Sequence, residues 1–283
     1  MSASPSPLSW EPSPGRWGIG AAVLILVATL GAASLAVIPD LALNDSTLTR
    51  RIAGQLASML TQNAIFVAVP VVILTLLLRT RPTPGAFGLR MPSRPWLTVG
   101  AVVVAFLGYL VLSAGLGSLL GIGDREDSLP TTLGATESAA AGVAIALGVT
   151  ILAPVGEEFL LRGVVFVGMR DGARTLMRPW LAVAVAALVN GVIFGALHGA
   201  TDPIFIPILM LFGAILCLLY HLTGSLFAPI ALHLTNNTVA ISTALDWTVL
   251  EAVALWLVAA AVLTAGARLS STLSTARRTP LRA

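Results

Sequence analysis

The sequence predicts an all-α polytopic membrane protein, with eight transmembrane helices around an intramembrane polar cavity. Three observations lead there. The chain of 283 residues is 57% hydrophobic and 10% charged, whereas a soluble domain is about 25% charged; too little polar surface remains to cover a globule in water. Apolar stretches of roughly 20 residues recur along the chain, the length a helix needs to cross the hydrocarbon core. Short alternating segments of the kind that build a membrane barrel are not visible.

Each element follows in order. Residues 1–16 are rich in Ser and Pro without apolar periodicity, which predicts a disordered N-terminal tail. Residues 17–120 hold three helices, at 17–38, 52–78 and 96–120. The first run is too long for the core of a secretory signal and lacks a convincing cleavage site, so it is read as a span. Residues 138–245 hold four more, at 138–169, 181–198, 204–220 and 226–245, and 247–267 is the last. A basic tail at 268–283 closes the chain. No internal repeat is apparent, which speaks against a transporter built from inverted halves.

Loop charges set an orientation. Sixteen arginines and no lysine give a net charge of +3. In a membrane protein these are topology signals before they are a nucleic-acid surface, so no nucleic-acid partner is expected. Arg79, Arg81, Arg90 and Arg94 fall in the second loop, and Arg170, Arg174 and Arg178, with Asp171, in the fourth. Arg268, Arg277, Arg278 and Arg282 fall in the tail. The third loop is acidic, with Asp124, Glu126, Asp127 and Glu137 against Arg125. With eight spans the arginine-rich segments share one side, which is cytoplasmic, and both termini lie there. Arg50 and Arg51 are the exception. Arginine without lysine in an alanine-rich chain points to a bacterial inner membrane. Cys217 has no second cysteine to pair with and is read as a small packing residue.

Glu157, Glu158 and Arg162 interrupt an otherwise apolar run. A charge at the bilayer centre costs roughly 2.5–3.5 kcal/mol on insertion scales, so these three must face protein or a wet cavity and find partners. Glu158 and Arg162 are four apart and can pair on one helical face. Glu157 lies about 100° round, with Ala153, Leu160 and Leu161 on its face. A carboxylate without a cation in apolar surroundings favours its protonated form, which suits general acid–base work. Glu157 is therefore assigned the chemistry, and Glu158 with Arg162 the scaffolding. A packing clasp of all three is the plainer alternative.

Of three histidines, two lie within spans. His198 ends the fifth, with Phe194 one turn earlier, and Gly191, Gly195 and Gly199 give the spacing that lets helices approach closely. His233 and Asn237 are four apart in the seventh. His221 is read as a loop residue. Each alone has a structural reading, as a satisfied core histidine or an interhelical hydrogen bond. Together, three spans place their main polar residues in lipid while nearly every other span is clean, and one shared chamber is the economical account. Glu157 would activate a water, and the His and Asn donors would steady the oxyanion formed at a carbonyl. Zinc on Glu157, His198 and His233 is the second choice, because Asn237 suggests direct hydrogen bonding to substrate. The cofactor expectation is therefore none, or zinc.

The motifs Glu157-Glu158-x-x-x-Arg162, Phe194-x-x-x-His198 and His233-x-x-x-Asn237, with Thr223-Gly224-Ser225-Leu226-Phe227-Ala228-Pro229 as a lead-in, resemble those of the CPBP (Abi) intramembrane proteases. That family includes the type II CAAX prenyl endopeptidases and bacterial proteins linked to bacteriocin processing and self-immunity. The resemblance covers residues 138–240. It implies an eight-helix endopeptidase with catalytic residues at Glu157, His198, His233 and Asn237, supported by Glu158, Arg162 and Phe194. It also implies a membrane-associated peptide substrate, with either a metal or a metal-free glutamate mechanism. Prenylated CAAX substrates are doubtful for a bacterial chain. The cut is expected at or just inside the cytoplasmic side.

Two competitors are weighed. Gly121-Ile122-Gly123-Asp124 matches the motif of intramembrane aspartyl proteases, but neither Tyr109 nor Tyr220 is followed by the second aspartate that chemistry needs. A non-enzymatic protein, either an immunity or scaffolding factor or a proton-coupled transporter, also accommodates intramembrane Glu, Arg and His. One geometric difficulty remains: a fully crossing fifth span would carry His198 to the face opposite the start of the seventh. The fifth span is therefore expected to stop short, with Gly199-Ala-Thr-Asp-Pro203 dipping into a wet cavity.

Overall fold

The computed structural model describes residues 17–43, 47–79, 82–123, 125, 128–199 and 203–276. The tail at 1–16 and the acidic trio Asp124, Glu126 and Asp127 lie outside them. So do Arg81, residues 200–202 of the expected dip, and Arg277, Arg278 and Arg282. Among the described residues the chain is helical, without a strand.

Seven helices are long and apolar enough to cross a membrane: α1 (Ile19–Leu43), α2 (Leu48–Leu76), α3 (Pro95–Leu120), α4 (Ala139–Ala173), α5 (Pro179–His198), α6 (Pro203–Thr223) and, after the next, the apolar part of the last, Val249–Ser270. That is one fewer among the described residues than the eight expected: α7 (Phe227–Ala244), an 18-residue helix, is not apolar enough to count with them. His233, Asn236 and Asn237 in its middle leave it less apolar than a lipid-exposed span, and a helix can afford that only when its neighbours shield it. The last helix, α8 (Val249–Ala276), runs past the expected end at 267. There the Ser270 hydroxyl donates to the Leu89 carbonyl at 3.0 Å. His221 falls in the last turn of α6, not in a loop.

Burial ranks the helices. α4 and α5 have 44% of their apolar windows buried, α8 11% and α3 6%. The centre is therefore α4, flanked by α1, α2, α5 and α7, while α3 and α8 turn most of their surface outward. The α5–α6 hairpin is the tightest pair. A Cβ added at Gly191 would lie 2.5 Å from the Met210 carbonyl oxygen, and one at Gly195 2.8 Å from that of Ile206. This is the close approach that the glycine spacing predicts.

The helix ends are staggered. His198 closes α5, about 28 Å from its start, yet His233 lies only about 9 Å into α7. Both can sit at one depth only if the 174–178 turn projects well beyond the 224–226 link. The second loop fills that step. Leu226 N–H donates to Gly88 O at 2.8 Å, Arg90 Nε to Gly224 O at 3.1 Å and Ser225 Oγ to Arg90 O at 2.8 Å. Gly88 takes φ +78° with the Tyr220 ring where a Cβ would be, so a side chain is excluded there twice over. Arg51, the exception to the charge pattern, pairs with Glu137 of the acidic third loop.

Candidate active site

α4 is not wound uniformly. Gly148–Leu152 and Phe159–Phe166 are π-helical, on either side of the α-helical stretch Ala153–Glu158. Wider turns leave backbone groups without their usual i−4 partners, and each orphan in hydrocarbon costs several kcal/mol. Side chains from neighbouring elements take those places. Asn63 Oδ1 on α2 accepts from Gly156 N–H at 2.8 Å. Asn237 Nδ2 on α7 donates to Val149 O at 3.0 Å. Asn190 Nδ2 on α5 donates to Leu161 O at 2.9 Å, and Trp17 Nε1, ahead of α1, to Val164 O at 3.0 Å. These four contacts fix the rotation of Ala153–Glu158, and so the directions of its two glutamates.

Glu158 points into the packed interior. Its side chain is wholly buried, with Arg162 Nη1 donating to its Oε1 at 2.8 Å. Arg162 Nη2 donates to the Gly213 carbonyl at 3.1 Å, and the guanidinium carbon lies 4.7 Å from the Phe194 ring centre. The same Glu158 oxygen meets His233 Nδ1 at 2.8 Å, so the glutamate read as scaffolding also orients a histidine. Glu157 turns the other way. With Ala153, Leu160 and Leu161, the face that the helical spacing gave it, it lines a cavity of about 880 Å³.

His198, His233 and Asn237 line that cavity too. His198 Nε2 is 3.3 Å and His233 Nε2 3.9 Å from Glu157 Oε2. The other ring nitrogens are committed: His198 Nδ1 donates to the Phe194 carbonyl at 2.9 Å, and His233 Nδ1 to the Arg162-paired carboxylate. Both acceptors lack a proton to give, so in a neutral imidazole the Nε2 atom facing Glu157 bears a lone pair. A lone pair against a carboxylate is repulsive. A proton placed between Glu157 and His198 would turn that repulsion at 3.3 Å into attraction. Phe194 stacks on His198 with ring centres 4.2 Å apart and meets His233 edge-on at 5.6 Å.

Asn237 gives one of its two amide N–H groups to the Val149 carbonyl, which leaves the other for a ligand. Among the described residues no three His, Cys, Asp or Glu side chains form a group that could hold a metal ion. The zinc set of Glu157, His198 and His233 does not fit as it stands, and no step is derived through it.

Sequence reasoning missed two groups. Asn63, Asn190 and Trp17 serve the π-helical segments, which no sequence signal announces. Cys217, wholly buried, donates its thiol to Asn190 Oδ1 at 3.2 Å, in keeping with a packing role. Gln55, Ser58 and Gln62 on α2 line the cavity. Their spacing on one helical face was a readable signal in a span that looked clean.

Residues 139–239 match the Rce1-like family model of type II CAAX prenyl endopeptidases, within CPBP. Over 161 residues the chain is 29% identical to an uncharacterized 24.3 kDa protein of Escherichia coli, covering 56% of this chain and 68% of that protein. No solved structure matches the chain. The matched segment holds all three motifs and lies within 138–240, where the motif resemblance was read.

Proposed function

From the match of residues 139–239 to the type II CAAX prenyl endopeptidases, we propose that this chain is an intramembrane endopeptidase in which Glu157 activates the attacking water. The observation that carries the reading is Glu157 Oε2 facing the Nε2 atoms of His198 and His233 on a cavity. The family match points to a protease, and the apolar helices to a multi-pass membrane protein. The glutamate mechanism and the roles below are our own assignment.

Glu157, as the carboxylate, takes a proton from water while the water oxygen attacks the scissile carbonyl carbon. His198, as imidazolium, donates from Nε2 to the oxygen that becomes negative. Collapse of the tetrahedral intermediate breaks the C–N bond, and the proton held by Glu157 passes to the leaving amine. His233, fixed by Glu158 and Arg162, supplies a second imidazole edge, and the remaining N–H of Asn237 a further donor. The substrate is a membrane-associated polypeptide, and residue type alone does not select a prenylated one.

Membrane-peptide profiles from cells carrying the wild type or Glu157→Gln test this. A fragment formed only with the wild type supports the endopeptidase. Equal function of both proteins sinks it in favour of a scaffold. Repeating the assay on chelator-treated membranes assigns the metal: activity that persists supports the glutamate route, whereas loss restored by added zinc replaces it.

A further inference from the structure

Resting on the endopeptidase reading for what the cavity holds, we infer that substrate enters from the membrane face opposite the arginine-rich loops, as an extended polypeptide segment presented outside the cytoplasm. The lining leans towards one end of the bundle: α3, α5 and α6 contribute from one half only, whereas α1, α2, α4 and α7 contribute from stretches that straddle their midpoints. α2 contributes within 55–66, α3 within 109–117, α5 within 194–198, α6 within 205–212 and α7 within 233–241. α2 and α6 begin on the far side from the arginine-rich loops, and α3, α5 and α7 end there. Ile122, Arg125 and Leu129 of the third loop complete the lining, and none of the described residues in 82–94, 170–178 or 221–226 takes part.

The arginine side is shut. Between the site and those loops Leu216, Cys217, Tyr220, Leu226 and Leu232 are at most 1% exposed. Gly88 and Arg90 are hydrogen-bonded across the α6–α7 link. Arginines mark the cytoplasmic side, so the mouth faces away from the cytoplasm. Entry from that face differs from the cytoplasmic-side cut expected from sequence. Gln55 and Gln62, seven apart on one face of α2, and Asn236 on α7 line this passage. Each primary amide offers a donor and an acceptor together, matching the peptide group of an extended chain.

Thiol labelling with a membrane-impermeant maleimide tests the direction. Cys217 is wholly buried, so the unaltered chain is the blank. Gln55→Cys and Gln62→Cys should label roughly tenfold faster in intact spheroplasts than in sealed inside-out vesicles, since thiol reactivity follows access. Arg94→Cys should show the reverse. A soluble mixture of synthetic decapeptides, and not the same mass of free amino acids, should slow the labelling of Gln62→Cys. Faster labelling from the cytoplasmic side, labelling from neither side, or Arg94→Cys reacting from outside overturns the direction. No protection by the decapeptides overturns the peptide. If one glutamine variant fails to accumulate, the other answers alone. Access is read without catalysis, so an inactive protein with an outward mouth sinks only the endopeptidase reading. An active one with an inward mouth sinks only this inference.

Discussion

The bundle has two unlike halves, which meet on α4 around Glu157 and Glu158. Towards the arginine-rich loops, Val164, Val165, Phe166, Leu216 and Leu232 are wholly buried, and the buried charges there are paired, Glu158 with Arg162 at 2.8 Å and Arg170 with Asp171 at 2.7 Å. Towards the third loop the same helices part around the cavity, and Glu157 meets imidazoles in place of a guanidinium. Adjacent residues of one type thus acquire opposite surroundings from the side of α4 they occupy. A sealed half supplies rigidity, because a buried pair broken on one side leaves an uncompensated charge. An open half can be altered chemically at little structural expense.

That contrast predicts how substitutions separate activity from stability. Glu157→Gln, which keeps the shape, should lower turnover by about 10²–10⁴-fold, the usual contribution of a positioned acid or base. Its thermal unfolding in detergent should match the wild type; a large stability loss would merge the two halves into one structural clasp. Glu158→Ala strands Arg162 and should destabilise by about 3–5 kcal/mol, read as loss of folded protein on size exclusion. Glu158→Leu combined with Arg162→Met should recover folding, since an apolar pair of similar volume replaces the ions. It should not recover turnover, because His233 Nδ1 then lacks its acceptor. Asn190→Leu removes the donor to Leu161 O in the π-helical stretch and should cost about 1–3 kcal/mol, with a smaller fall in turnover as Leu161 and Glu157 shift. Leu257→Ala on the outward face of α8, where the side chain is 57% exposed, should change stability by no more than about 0.5 kcal/mol.

Much of this was legible along the chain. Glu157, Glu158 and Arg162 stand out because charges in lipid need a reason, and the i, i+4 spacing paired two of them correctly. Gly191 and Gly195 announced the close α5–α6 contact. Arg51 looked misplaced until Glu137 was found beside it, since a long-range pair leaves no local signal. The π-helical turns were invisible for a like reason: they depend on Asn63, Asn190, Asn237 and Trp17 arriving from other parts of the chain to satisfy the backbone they expose.

Sequence by itself determined the helical class, most helix limits to within a few residues, and the polar residues that would have to meet. These follow from solvent: lipid rejects charge and unpaired backbone at each position along the chain, whatever its neighbours in space. Tertiary structure alone decided that His198 and His233 share one depth, that Glu158 holds a histidine as well as an arginine, and which helices line the cavity. Those depend on vertical offsets between helices. Offsets are set by glycine contacts, by the Gly88–Leu226 bond and by the winding of α4, all of which join residues distant in the chain.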